Sequence, residues 1–181
     1  MVTSRTITAD DLLNAARGER CELIDGKLRS LSRNGGDHGW IAMKLGARLL
    51  SHVEANGLGR VYAAETGFLI ERDPDTVRAA DVAFVHRDRV PEPGVHRGFL
   101  PLAPDLIVEV VSPGDRVGEV HEKFEAWIRA CVKMVWIVWP NTRTVDVQGP
   151  DLESITLRDE DSIDGQDVVP GFCCKVGDVF T

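Results

Sequence analysis

The chain has 181 residues, with 21 Lys and Arg against 29 Asp and Glu, a formal net charge of −8, and 43% hydrophobic residues. That composition excludes an intrinsically disordered chain, and no stretch approaches the roughly 18 consecutive apolar residues of a membrane-spanning helix. The negative balance speaks against a protein that coats nucleic acid electrostatically, since affinity for phosphates comes from clustered Lys and Arg. Any chemistry on nucleic acid must be local and cation-assisted.

The length fits a single domain over residues 1–181. The first twenty residues hold no long apolar core and no small-residue cleavage site, so a cytoplasmic location is expected. Cys21, Cys131, Cys173 and Cys174 lack the spacing of a zinc knuckle and read as reduced thiols.

Thr8 followed by Asp11, ahead of Leu12 and Leu13, signals a short capped helix from Thr8 to Ala16. Glu22 to Ile24 and Lys27 to Leu31 flank Asp25-Gly26, the signature of a tight hairpin. Between His38 and Asn56, Ile41, Leu45, Leu49 and Val53 recur every four residues, and Gly57 is placed to end the helix in a left-handed cap. Strand-like runs follow at Val61 to Ile70, Ala79 to Val85 and Leu106 to Val111, separated by breaks such as Asp73-Pro74-Asp75 and Pro91-Glu92-Pro93-Gly94. Val117, Val120, Phe124, Ile128 and Cys131 or Val132 mark one face of a second long helix. Val135 to Trp139 then reads as a central strand, apolar on both faces. The tail from Arg143 carries short apolar pairs between turn signals at Asn141, Gly149-Pro150, Asp164-Gly165 and Pro170-Gly171, as expected of small antiparallel strands. The pattern is that of an α/β or α+β fold: a mixed sheet flanked by helices, with an N-terminal hairpin and a C-terminal antiparallel tail. The stretch between Leu106–Val111 and Val135–Trp139 is long enough for a crossover between parallel strands.

Glu109 is the most informative residue. It interrupts a run that otherwise reads as a strand buried on both faces, and a buried carboxylate must be protonated, paired or bound to a cation. Asp81 poses the same problem near the start of another strand. Two strand-borne acids among apolar neighbours are suitable ligands for a hard divalent cation such as magnesium, which prefers oxygen donors. Lys123 borders the apolar stripe of the second long helix, so its stem can run along the sheet toward Glu109. There an ammonium could orient or deprotonate a water and offset charge developing on a phosphate.

These residues sit within a longer set: Cys21-Glu22-Leu23-Ile24-Asp25-Gly26, His38-Gly39, Ala64-Glu65-Thr66-Gly67-Phe68, Arg78 to Val85, Ala103 to Pro113, Lys123, Val135 to Val138 and Val169-Pro170-Gly171-Phe172. In that order, over roughly residues 8 to 180, they resemble the Uma-two family of restriction-endonuclease-like proteins. The resemblance implies the PD-(D/E)XK nuclease fold and a site of one Asp, one Glu and one Lys around Mg2+ or Mn2+. By position, Asp81 and Glu109 match the two acids. The lysine expected two residues after Glu109 is replaced by Val111, and the resemblance implies that Lys123, on the following helix, takes its place. The proline before Asp81 is Ala80. Glu22 and Glu65 align with further acids of the family and would support the metal shell directly or through water.

Each residue also admits a structural role. Glu109 could pair with a core arginine, and Asp81 could cap a strand or pair with Arg78. Lys123 could lie over apolar surface, Glu22 beside the hairpin, and Glu65 in a cross-strand ion pair. His38 reads as a helix-start residue that could also stand near a phosphate, and Asp105 as a turn residue. The resulting expectation is a metal-dependent endonuclease hydrolysing phosphodiester bonds in DNA, cytoplasmic and homodimeric. Asp81, Glu109 and Lys123 are its expected catalytic residues, Glu22, Glu65 and His38 its supporting ones. The alternative is an inactive nuclease-derived module that binds nucleic acid or regulates.

Overall fold

A capping box opens the first helix: Thr8 Oγ1 accepts from the Asp11 N–H at 3.1 Å, and Asp11 Oδ2 accepts from the Thr8 N–H at 3.0 Å. Helix α1 (Ala9–Ala15) follows, with Leu12 buried. The computed structural model describes residues 6–15, 20–91, 98–149 and 154–181. Ala16, most of the Pro91-Glu92-Pro93-Gly94 break and Pro150 lie outside the described residues.

The hairpin forms as the Asp-Gly pair requires. Strands β1 (Cys21–Ile24) and β2 (Lys27–Ser30) are joined by Asp25 at φ 49° and Gly26 at φ 69°, two positive values that a two-residue turn demands. A Cβ at position 26 would overlap the Thr6 side chain, so glycine is needed for space as well as for conformation. Helix α2 (Gly36–Ala55) begins two residues before His38 and buries Ile41, Leu45, Leu49 and Val53. It ends in a paired cap, with the Leu58 N–H on the Val53 carbonyl at 3.0 Å and the Gly57 N–H on that of Glu54 at 3.2 Å, Gly57 adopting φ 60°.

The strand expected over Val61 to Ile70 is two strands, β3 (Gly59–Ala63) and β4 (Gly67–Glu71), which belong to different sheets. The break falls at Glu65, which takes the left-handed conformation at φ 70°. A second division separates β5 (Thr76–Ala79) from β6 (Val82–His86), leaving Ala80 and Asp81 as the passage from one sheet to the other. The remaining elements are β7 (Leu106–Val110), α3 (Val117–Arg129), β8 (Met134–Trp139), β9 (Thr144–Gln148), β10 (Ile155–Leu157), β11 (Ser162–Asp164) and β12 (Cys173–Lys175).

The six-stranded sheet has the order β10-β9-β8-β7-β6-β3, with β7 and β8 at its centre, parallel and joined through α3, as the apolar runs imply. Its other neighbours pair antiparallel. A four-stranded sheet, β2-β1-β5-β4, stands beside it, and β11 and β12 form a separate pair. The tail thus finishes the large sheet only through β9 and β10.

Alternation along the strands sorts side chains onto two faces. Val82, Phe84, Val108, Val110 and Trp136 pack under α2, where Ile163, Val169 and Phe172 from the tail close the same core. Ala83, Val85, Ile107, Val135 and Ile137 pack under Phe124 and Trp127 of α3. Each fully buried large side chain contributes roughly 1.5–3 kcal/mol. Val117 is 73% exposed at the start of α3, so the covering face of that helix begins at Val120 rather than at Val117. Leu12, Leu23, Leu69 and Val77 form a third cluster between α1 and the smaller sheet. Glu109 shares the parity of Ile107 and therefore faces α3.

Candidate functional site

The passage between the sheets opens onto a cleft of about 360 Å³ whose lining includes Glu22, His38, Asp81, Glu109 and Lys123. Four elements deliver these side chains: β1 carries Glu22, the first turn of α2 carries His38, β7 carries Glu109 and α3 carries Lys123. Asp81 stands just before β6.

Helix α3 holds the Glu109 carboxylate by both oxygens. Lys123 Nζ donates to Oε2 at 2.7 Å, and one turn on the Trp127 indole N–H donates to Oε1 at 2.9 Å. An i, i+4 pair on one helix can do this because both side chains leave the same face. Trp127 was not singled out from the sequence, although its spacing from Lys123 carried the signal. Glu109 is 13% exposed and Lys123 26%.

Asp81 is fixed from two sides. Its Oδ2 accepts from the Val110 N–H at 2.8 Å and lies 3.0 Å from His38 Nε2, which is also 3.1 Å from Asn34 Nδ2. Its own N–H donates to the Val108 carbonyl. The Asp81 carboxylate is therefore bonded to the residue next to Glu109.

Glu22 is buried, with both oxygens engaged. Arg78 Nη1 donates to Oε2 at 2.9 Å and the Ala79 N–H to Oε1 at 3.1 Å, while Lys123 Nζ stands 3.9 Å from Oε1. Arg78, itself 2% exposed, partners Glu22 rather than Asp81. Nothing local announces this pair, because its members are 56 residues apart. Glu65 also borders the cleft, but it is 61% exposed and ion-paired with Arg20. Asp105 is no turn residue: it is 1% exposed and binds Arg89 at 2.9 Å, Lys133 at 2.8 Å and the His86 N–H at 2.8 Å, at the other end of β7.

The charges in the cleft are unevenly matched. Burial, helped by the negative charges of Asp81 and Glu22, pushes the Glu109 carboxyl up from 4.5 to about 7 despite the nearby Lys123 ammonium. Burial would also raise Asp81, but the hydrogen bond and charge of His38, the Lys123 charge and the Val110 N–H outweigh it and hold Asp81 below the ordinary carboxylate range. Burial would lower Lys123, yet Glu109, Glu22 and Asp81 together raise it, so its ammonium stays protonated. Lys123 can donate a hydrogen bond here but cannot accept a proton. Among the described residues, no three of His, Cys, Asp and Glu gather closely enough to hold an ion by themselves.

Residues 9–177 match the model of the Uma2 family, described as putative restriction endonuclease. The chain belongs to the Uma2 family. The crystal structure of a putative nuclease belonging to DUF820 from Anabaena variabilis superposes with a TM-score of 0.82 at 20% identity, over 96% of this chain and 97% of the other. No curated protein matches the chain. The restriction-endonuclease-like mixed fold expected from the sequence is thus shared by this Uma2 chain and that neighbour.

Proposed function

We propose that this Uma2 protein is a divalent-metal-dependent endonuclease that hydrolyses phosphodiester bonds in DNA. The observation that carries the reading is the meeting of Asp81, Glu109 and Lys123 in one cleft, with Glu109 bonded to Lys123 and Asp81 to the backbone beside Glu109. The donor set fits Mg2+ or Mn2+. Carboxylate oxygens are hard ligands, and Glu109, raised first by burial and then by the charges of Asp81 and Glu22, is an acid whose ionised form a cation would stabilise. Asp81 and Glu109 would hold the ion, with waters completing its shell.

A bound ion would polarise a phosphoryl oxygen and make its water more acidic. The protein supplies the rest. Lys123, held protonated, would orient the attacking water by donation and offset negative charge developing on the phosphate. Trp127 and Lys123 fix the rotation of Glu109, and the Glu22–Arg78 pair anchors the chain that leads into Asp81. His38 buttresses Asp81. The homodimeric, cytoplasmic state expected from the sequence belongs to the same reading.

The test is cleavage of plasmid, linear and single-stranded DNA with each metal. Asp81→Ala and Glu109→Ala should each lower the rate by about a hundredfold or more; rates unchanged in both would refute the assignment.

The 2.7 Å Glu109–Lys123 pair favours a second reading, in which the acids serve the fold of an inactive, nucleic-acid-binding or regulatory module. Metal titration separates the two. An intact site raises the melting temperature with Mg2+ or Mn2+ by mass action, and a module without one does not respond.

A further inference from the structure

In a chain of net charge −8, the segment from Gly26 to Gly36 carries Lys27, Arg29 and Arg33 and no acidic residue. It runs along β2, the outer strand of the smaller sheet, whose second edge pairs with no strand among the described residues. Cross-strand register sets Arg29 opposite Glu22 and Lys27 opposite Ile24. Both cations thus lie on the face of the hairpin that carries Glu22. Arg29, Ser30, Leu31, Ser32 and Asn34 line the cleft itself.

Among the described residues, Lys27 and Arg33 are exposed and paired with no acid. Arg29 is held across the cleft mouth by two glutamates of α3, Glu122 at 3.3 Å and Glu119 at 3.7 Å. These glutamates are about half exposed, so water screens each pair and a phosphate can displace it.

We infer that the strip from Lys27 to Arg33 is the track on which the phosphodiester backbone of a nucleic acid lies as it enters the cleft, with Arg29 passing from Glu119 and Glu122 to a phosphate. The inference rests on the nuclease reading above and names the surface that holds its substrate. The strip contains no aromatic side chain on which a base could stack, so its contacts fall on the backbone and carry little sequence preference.

The test uses the full chain in metal-free buffer and fluorescence anisotropy of short labelled DNA, single-stranded and duplex, across about 50 to 200 mM salt. Replacing Lys27, Arg29 and Arg33 together by Gln should weaken binding at least about tenfold at the low-salt end and reduce the salt slope by about 2 to 3. Glu119→Gln with Glu122→Gln should tighten binding a few-fold, because the competitors for Arg29 are gone. Lys175→Gln, on β12, should change neither quantity. Melting temperatures equal to that of the parent chain show that each variant is folded.

An unchanged slope and affinity in the folded triple variant would overturn the track, as would a parent chain that binds neither DNA form. Either result leaves the metal site standing if Mn2+ still raises the melting temperature through Asp81 and Glu109. Strip-dependent binding without any metal response instead supports the track and removes the catalytic reading.

Discussion

Strand β7 has a buried carboxylate at each end, and the two are opposites. Asp105, just before the strand, faces two cations and a backbone N–H, and these outweigh its burial and hold it below its ordinary 3.8. Glu109, near the other end, faces one ammonium and one indole, and shares its surroundings with Asp81 and Glu22. Its carboxyl rises to about 7. Burial is common to both, so burial does not distinguish a structural acid from a poised one; the balance of surrounding charge does.

The comparison breaks if the two acids respond alike to neutralisation. Asp105→Asn should cost about 3 kcal/mol in urea unfolding at neutral pH, the low end for breaking a buried pair, because Arg89 and Lys133 can turn to solvent. Glu109→Gln should go the other way in metal-free protein above pH 7. It removes a charge whose pKa is raised by folding, and should raise stability by about 2 kcal/mol while abolishing the metal response.

The two signs are separable by pH. Glu109 binds its proton more tightly in the folded state, so the penalty it imposes is absent below the ordinary 4.5, grows as pH rises and is complete above about 7. The gain from Glu109→Gln should follow that course. Asp105 behaves in reverse: its contribution is fully present above 3.8 and disappears as pH falls through its lowered folded value. Acid unfolding should therefore begin at higher stability loss in the parent chain than in Asp105→Asn, whose acid limb flattens.

The smallest effect sharpens the contrast. Arg143 grips Asp159 through three hydrogen bonds, but both partners are close to half exposed. Arg143→Ala should cost less than about 1 kcal/mol, showing that geometry without burial does little.

Much of this site was visible in the chain before folding. Glu109 and Asp81 stood out because each interrupts an apolar run, and Lys123 because it borders an apolar helical stripe. Alternation even assigns Glu109 to the face of Ile107. The remainder depends on contacts between distant segments. The partner of Glu22 is Arg78, 56 residues away, and no periodicity reports such a pair. Asp105 reads as a turn residue because its three partners come from residues 86, 89 and 133. The apolar run from Val61 to Ile70 looks continuous because Glu65 can enter the left-handed region without a glycine to announce it.

The passage at Ala80 and Asp81 makes the cleft a gauge of the angle between the sheets. Asp81 is tied to β7 by its N–H and by its carboxylate, and Glu109 is embedded in that same strand, whereas Glu22 belongs to the smaller sheet. A tilt of a few degrees between the sheets therefore carries Glu22 away from Lys123 while the other two acids keep their places. Substitutions that thicken the packing beneath Leu23 or Val77, remote from the cleft acids on β7, should shift Glu22 against Lys123, and with it the balance of charge around Glu109, long before they unfold the chain.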